Sequence, residues 1–216
     1  MFTKEEILQR RAAELETNPN ASASLHLALL IATCALYEEK QWDGTDYLEH
    51  PLIVGMNNTR SMAKKIIGIL HDVVEDSDWT LDDLRAVGFS KRIVDGVDAV
   101  TKRAGEKYLD FVERCSLNPD GIDIKINDLL HNMDISRNPE FPTDRALAKQ
   151  KLYTISYQYL LAIKREEIAP GTKMSDFIHN RPELSLPNDV MAAQSSHWKP
   201  SASGMTSAFK PSPSPQ

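Results

Sequence analysis

The chain is expected to fold as an all-α domain. Apolar residues recur at helical spacing in most segments, no stretch alternates with period two for long enough to build a sheet, and helix-start signals precede several of the periodic runs. Thr3 with Glu6 forms a capping box, so a first helix runs to about Glu16, where Asn18-Pro19-Asn20 breaks it. Ser22 to about Glu38 forms a second helix, largely apolar and therefore central, on which His26 reads as a satisfied core histidine. Residues 39–49 form a polar loop with a turn at Asp43-Gly44. His50-Pro51 follows; the proline suits the first turn of a helix and pushes His50 to extended backbone. A helix from about Arg60 continues through Ile69-Leu70-His71-Asp72-Val73-Val74-Glu75-Asp76. Thr80 with Asp83 starts another, which Gly88 stops. Ser90 to Thr101 is amphipathic, with Ile93, Val94, Val97 and Val100 on one face, and Glu106 to Cys115 follows. Asn118-Pro119-Asp120-Gly121 reads as a turn, Ile122 to about Ile135 as a helix, and Asp144 to Arg165 as a long helix after two proline breaks.

Size and composition bound the function. With 216 residues and 41% hydrophobic content, the chain holds one domain, residues 1–181, and a tail, residues 182–216. The tail is rich in Ser, Pro and Ala and cannot bury enough apolar surface to offset its ordering entropy, so it is expected to be flexible. The alternative is an arm that packs on a second copy of the chain through Met191, Trp198 and Phe209, making the protein a homo-oligomer. A net charge of −6 and the lack of a basic stripe argue against nucleic acid as partner. No apolar run approaches the roughly 20 residues of a membrane span. The N-terminus has no signal-peptide pattern, and Cys34 and Cys115 belong to no C-x-x-C, so a reducing cytoplasmic setting without a thiolate metal site is expected.

The chemistry concentrates where an apolar run, Ile66 to Leu70, meets four polar groups. His71 and Glu75 are four apart, as are Asp72 and Asp76, so on a helix each pair shares a face. His50 enters a helix after a turn, and Asp128 lies among Ile126, Leu129 and Leu130, where a carboxylate wants a cation or a donor. His50, His71, Asp72 and Asp128 would form a two-nitrogen, two-oxygen set suited to Mn, Fe, Zn or Ni. Such an ion would acidify a water and polarise a phosphoryl oxygen, with Glu75 and Asp76 placed to move protons beside it. Taken singly, each feature has a plainer reading: a surface His-Asp pair, a solvated Glu-Asp helix face, and an Asp128 paired with Lys125 one turn away. His131 reads as packing or supporting a neighbour, and His179 and His197 as facing solvent.

Together, Asp43-Gly44-Thr45-Asp46-Tyr47-Leu48-Glu49-His50-Pro51-Leu52, Leu70-His71-Asp72-Val73-Val74-Glu75-Asp76, Val97-Asp98-Ala99-Val100-Thr101-Lys102 and Lys125-Ile126-Asn127-Asp128-Leu129-Leu130-His131-Asn132-Met133-Asp134 resemble the HD-domain metal phosphohydrolases, specifically their RelA/SpoT-like hydrolase branch. The resemblance runs from about Ala32 to Leu160. It implies a helical HD-domain bundle over residues 1–181 and a Mn2+-dependent enzyme hydrolysing the 3′-pyrophosphate of (p)ppGpp. By position it implies His50, His71, Asp72 and Asp128 as metal ligands, Glu75 and Asp76 as the catalytic acids, and Asn132 near the substrate ribose and phosphate. In length the chain resembles the small hydrolase-only members. It departs from the pattern in two places. The loop before His50 reads Lys40-Gln41-Trp42-Asp43 in place of an Arg-Lys pair, leaving Lys40 and Trp42 as candidate phosphate and base contacts. After Asp128 stand Leu129 and Met133-Asp134-Ile135-Ser136-Arg137 in place of Arg and Met-Arg-Thr, which makes Arg137 a further candidate substrate contact. Lys102, Lys149 and Tyr153 are weaker ones. Two other readings remain open: a phosphatase of another phosphorylated nucleotide such as NADPH, and an HD scaffold that senses a nucleotide without turnover.

Overall fold

The computed structural model describes residues 2–41, 44–57, 59–138 and 141–184. Trp42, and Met191, Trp198, Phe209 and His197 of the tail, lie outside the described residues. The described chain is helical throughout, with one isolated bridge between Lys40 and Asp46. Its helices are α1 (Lys4–Thr17), α2 (Leu25–Ala35), α3 (Glu49–Met56), α4 (Met62–Leu70), α5 (Val73–Asp76), α6 (Leu81–Ala86), α7 (Lys91–Val100), α8 (Tyr108–Cys115), α9 (Pro119–Asn132), α10 (Asp144–Lys164) and α11 (Met174–His179).

Local signals act where the sequence places them. The Thr3–Glu6 and Thr80–Asp83 capping boxes form, each satisfying two of the unpaired N–H groups of a helix start. Asn118 is a helix cap rather than part of a free turn. Its side chain accepts from the N–H groups of Asp120 and Gly121, and Pro119 takes the first helical position, so α9 starts three residues before the expected Ile122. His50 is helical rather than extended: Pro51 stands in the first turn of α3, where no N–H is needed, and the restriction on its predecessor is overridden. His26 is exposed, because α2 buries Ala28, Ile31 and Ala32 and turns His26 to solvent.

The centre is α4, which packs on α2, α3, α7 and α9 and buries Ile66, Ile67, Ile69 and Leu70. Helix α4 ends at Leu70, so the expected continuous helix through Asp76 is broken at His71-Asp72 and resumes for one turn as α5. Both residues keep right-handed helical angles, which carries the chain onward while the hydrogen-bond ladder lapses. Downstream, Pro182–Leu184 forms a 3-10 turn that packs Leu184 on the core.

Two contacts set the spacing of the site. A Cβ on Gly68 would lie 2.5 Å from Gly55 Cα and 2.8 Å from its N, so α3 and α4 meet backbone to backbone. The buried Asn127 donates to the carbonyls of Val54 at 3.1 Å and Asn57 at 3.0 Å, fastening α9 to the end of α3. Gly68→Ala is therefore expected to cost about 1–3 kcal/mol or more, since no flexible side chain can give way. By moving α3 it should also weaken metal binding through His50. Thermal unfolding and Mn2+ titration of the variant check both.

Candidate metal centre

His50 from the first turn of α3, His71 from the break after α4, and Asp128 from α9 are all buried, and their donor atoms lie within 4.8 Å of one another. His50 Nε2 is 3.2 Å from His71 Nε2 and 3.3 Å from Asp128 Oδ1, and His71 Nε2 is 3.8 Å from Asp128 Oδ1. Ligands about 2.1 Å from one ion and at right angles lie about 3 Å apart, so one small divalent cation fits these three donors. Asp72 Oδ2 lies 3.0 Å from His71 Nε2 and 3.5 Å from His50 Nε2, beside this set but outside its mutually close donors.

Each donor is oriented by a neighbour. His71 Nδ1 faces the Gly68 carbonyl at 2.7 Å, so it carries a proton and turns Nε2 to the cluster. Tyr47 donates its hydroxyl to Asp72 Oδ2 at 2.5 Å. Asp128 Oδ2 accepts from Lys125 Nζ at 2.6 Å and Oδ1 from Asn132 at 2.5 Å. The pairing of Asp128 with Lys125 and its approach to the imidazoles thus occur together, one on each oxygen. Lys125 is buried, with its ammonium 4.9 Å from the Phe111 ring centre and 5.7 Å from that of Tyr108.

The electrostatics favour positive charge between these groups. Burial alone would lower the His71 pKa, but Asp72 and Asp128 raise it to about 9. Burial would raise Asp128, yet Lys125 and the two imidazoles hold it far below the usual carboxylate range. His131 goes the other way: burial, His50 and Arg137 lower it to about 4, so it is neutral.

The centre opens into a cleft lined also by Glu75, Asp76, Lys102, Tyr108, Asn132, Arg137 and Tyr153. Glu75 Oε2 accepts the Lys102 N–H at 3.0 Å, and burial together with Asp72 pushes the Glu75 carboxyl upward. Asp76 lines the same wall. Of the expected substrate contacts, Asn132 and Arg137 line the cleft, whereas Lys40 is exposed, pairs with Asp46 and does not. Arg137 is already engaged, by His131 and by Gln41. Tyr47 and Gln41 are site residues that pattern reading passed over. Tyr47 stood three residues before His50 with no mark of its own, and Gln41 stood where a basic residue was sought.

No protein-family model matches the chain. Over 115 residues, 46% of its length, the chain is 34% identical to a Streptomyces coelicolor protein named GTP pyrophosphokinase. Over 147 residues, 60% of its length, it is 27% identical to a Synechocystis protein named probable guanosine-3′,5′-bis(diphosphate) 3′-pyrophosphohydrolase. A Mycobacterium leprae protein named probable GTP pyrophosphokinase is 30% identical over 143 residues, 58% of the chain. The chain spans 13%, 19% and 18% of the lengths of these three relatives. Its homologues are thus RelA/SpoT-family proteins, some named as pyrophosphokinases and one as a hydrolase.

Proposed function

We propose that the chain is a metal-dependent nucleotide phosphohydrolase, with (p)ppGpp the first substrate to test and the 3′-pyrophosphate the group removed. The observation that carries this reading is the His50–His71–Asp128 cluster in a cleft walled by two acids, Glu75 and Asp76. The name of the Synechocystis relative supports the choice of nucleotide. A divalent cation held by His50, His71, Asp72 and Asp128, Mn2+ by family resemblance, would supply charge neutralisation at phosphoryl oxygens and a more acidic water.

The remaining chemistry belongs to the side chains. Burial and Asp72 push the Glu75 carboxyl upward, which suits a group that takes a proton from water and returns it to the leaving oxygen. Asp76, on the same wall, orients that water. The Glu75 carboxylate is itself aimed by the Lys102 N–H, so the loop bearing Lys102 sets both the acid and a nearby ammonium for the phosphates. Asn132 holds Asp128 and faces the cleft, in position to touch the substrate ribose or phosphate.

One observation favours a second reading, a phosphatase of a nucleotide bearing a single 2′- or 3′-phosphate. The cleft has Gln41 where the resembled enzymes carry a basic pair, and Lys125 and Arg137 already serve acceptors within the protein. Less positive charge is then at hand for a pyrophosphate. A panel of guanosine polyphosphates, NADPH and nucleoside monophosphates, each with Mn2+ and with a chelator, separates the two. Pyrophosphate release from (p)ppGpp, reduced at least 100-fold by the chelator, is the expected result. Turnover of phosphomonoesters alone would end the pyrophosphohydrolase reading.

A further inference from the structure

His50 Nδ1 lies 2.6 Å from His131 Nδ1. The two ring centres are 4.9 Å apart and the rings are inclined by 22°. That separation is close to the nitrogen–nitrogen distance plus one ring radius on each side, so the nitrogens point at each other nearly in the plane of both rings. The contact is therefore an in-plane hydrogen bond and not a face-to-face stack. Such a bond needs one protonated and one bare nitrogen. Nothing in the pair itself says which is which.

Arg137 decides. Its Nη1 lies 2.9 Å from His131 Nδ1 and 3.0 Å from the His131 carbonyl oxygen. A guanidinium only donates and keeps its charge, so an N–H on the nitrogen beside it would oppose that charge, and the bare form is favoured. His131 Nδ1 is bare, and the proton in the short bond belongs to His50 Nδ1. With its Nδ1 engaged in that bond, His50 turns Nε2 toward His71 and Asp128. Arg137 is itself fixed from the far side. Its Nη2 donates to Gln41 Oε1, while Gln41 Nε2 donates to Thr45 Oγ1 at 3.0 Å, the Asp46 carbonyl at 3.0 Å and Glu49 Oε2 at 3.2 Å. Three acceptors around the amide nitrogen leave only its oxygen for Arg137.

We infer that Arg137 is a positioning residue that selects the metal-binding tautomer of His50 through His131, rather than a substrate contact. The inference rests on reading His50 as a metal ligand, but its first test needs no metal. Nitrogen-15 NMR of the metal-free protein should show His50 protonated on Nδ1 and His131 on Nε2. A bare His50 Nδ1, or a proton on His131 Nδ1, would overturn the assignment. In Arg137→Met, His131 should populate both tautomers and the Mn2+ affinity measured by calorimetry should fall about 10- to 100-fold. Arg137→Lys, which keeps a donor, should lose less. In a His131→Glu background, where the partner of His50 can only accept, Arg137→Met should cost less than about threefold. Equal losses in both backgrounds, with circular dichroism unchanged, would assign Arg137 a merely structural role and sink the proposal. Should Arg137→Met fail to fold, the wild-type tautomers and Arg137→Lys decide. Failure of the wild type to bind Mn2+ would overturn the metal reading, and the tautomer pattern would then judge the relay by itself.

Discussion

Asp128→Ala is expected to remove metal binding and to destabilise the fold by about 3–5 kcal/mol, on the order of 10 °C in Tm. The stability loss does not come from the missing ligand. It comes from Lys125, whose buried ammonium lies near the Phe111 and Tyr108 rings and gives its close hydrogen bond to Asp128 Oδ2. Truncating the carboxylate leaves that cation unpaired in a low-dielectric setting, where breaking a pair costs far more than an exposed salt bridge is worth. Melts in the presence of a chelator isolate this term from metal binding. Replacing both partners, Asp128→Ala with Lys125→Met, should recover most of the stability and none of the metal affinity. An Asp128→Ala protein that melts with the wild type would mean that Lys125 is not buried against it.

Glu75→Gln and Asp76→Asn are each expected to lower turnover by about 10²- to 10⁴-fold, the usual worth of a positioned proton-transfer group. Metal affinity should change only a few-fold, because both carboxylates are assigned to proton transfer and water positioning and not to the ligand set. Glu75→Gln keeps an oxygen that can accept the Lys102 N–H, so the local backbone contact survives the change. The split between kcat and metal affinity is the diagnostic. A variant that loses metal and activity in proportion would place its residue among the ligands instead. One that keeps full activity would leave the acid-base part of the mechanism without its groups.

The features legible in the amino-acid order are those whose physics is local. Capping boxes at Thr3 and Thr80 join groups three residues apart, and helix periodicity marks the buried face of α7 within a turn or two. His71 beside Asp72, and Asp128 within an apolar run, stand out because a polar group among buried neighbours needs a partner. The residue types of the candidate site were legible for the same reason, and so was an all-helical fold.

Other features depend on which segments meet, and no local pattern carries that. Gly68 looks like any helix glycine until Gly55 is found against it. The helix break at His71-Asp72 has no glycine or proline to announce it. Lys40 turns to Asp46 because the loop folds back on itself, and Arg137 reaches Gln41 across 96 residues of sequence. His131 becomes a hydrogen-bond relay only when α3 and α9 are fastened together by Asn127. The sequence by itself therefore determined the helices and the chemistry available to this protein. Only the tertiary structure decided which donor side chains come together and which side chains position them, because hydrogen bonds between distant segments form through packing and leave no mark in the spacing of residues.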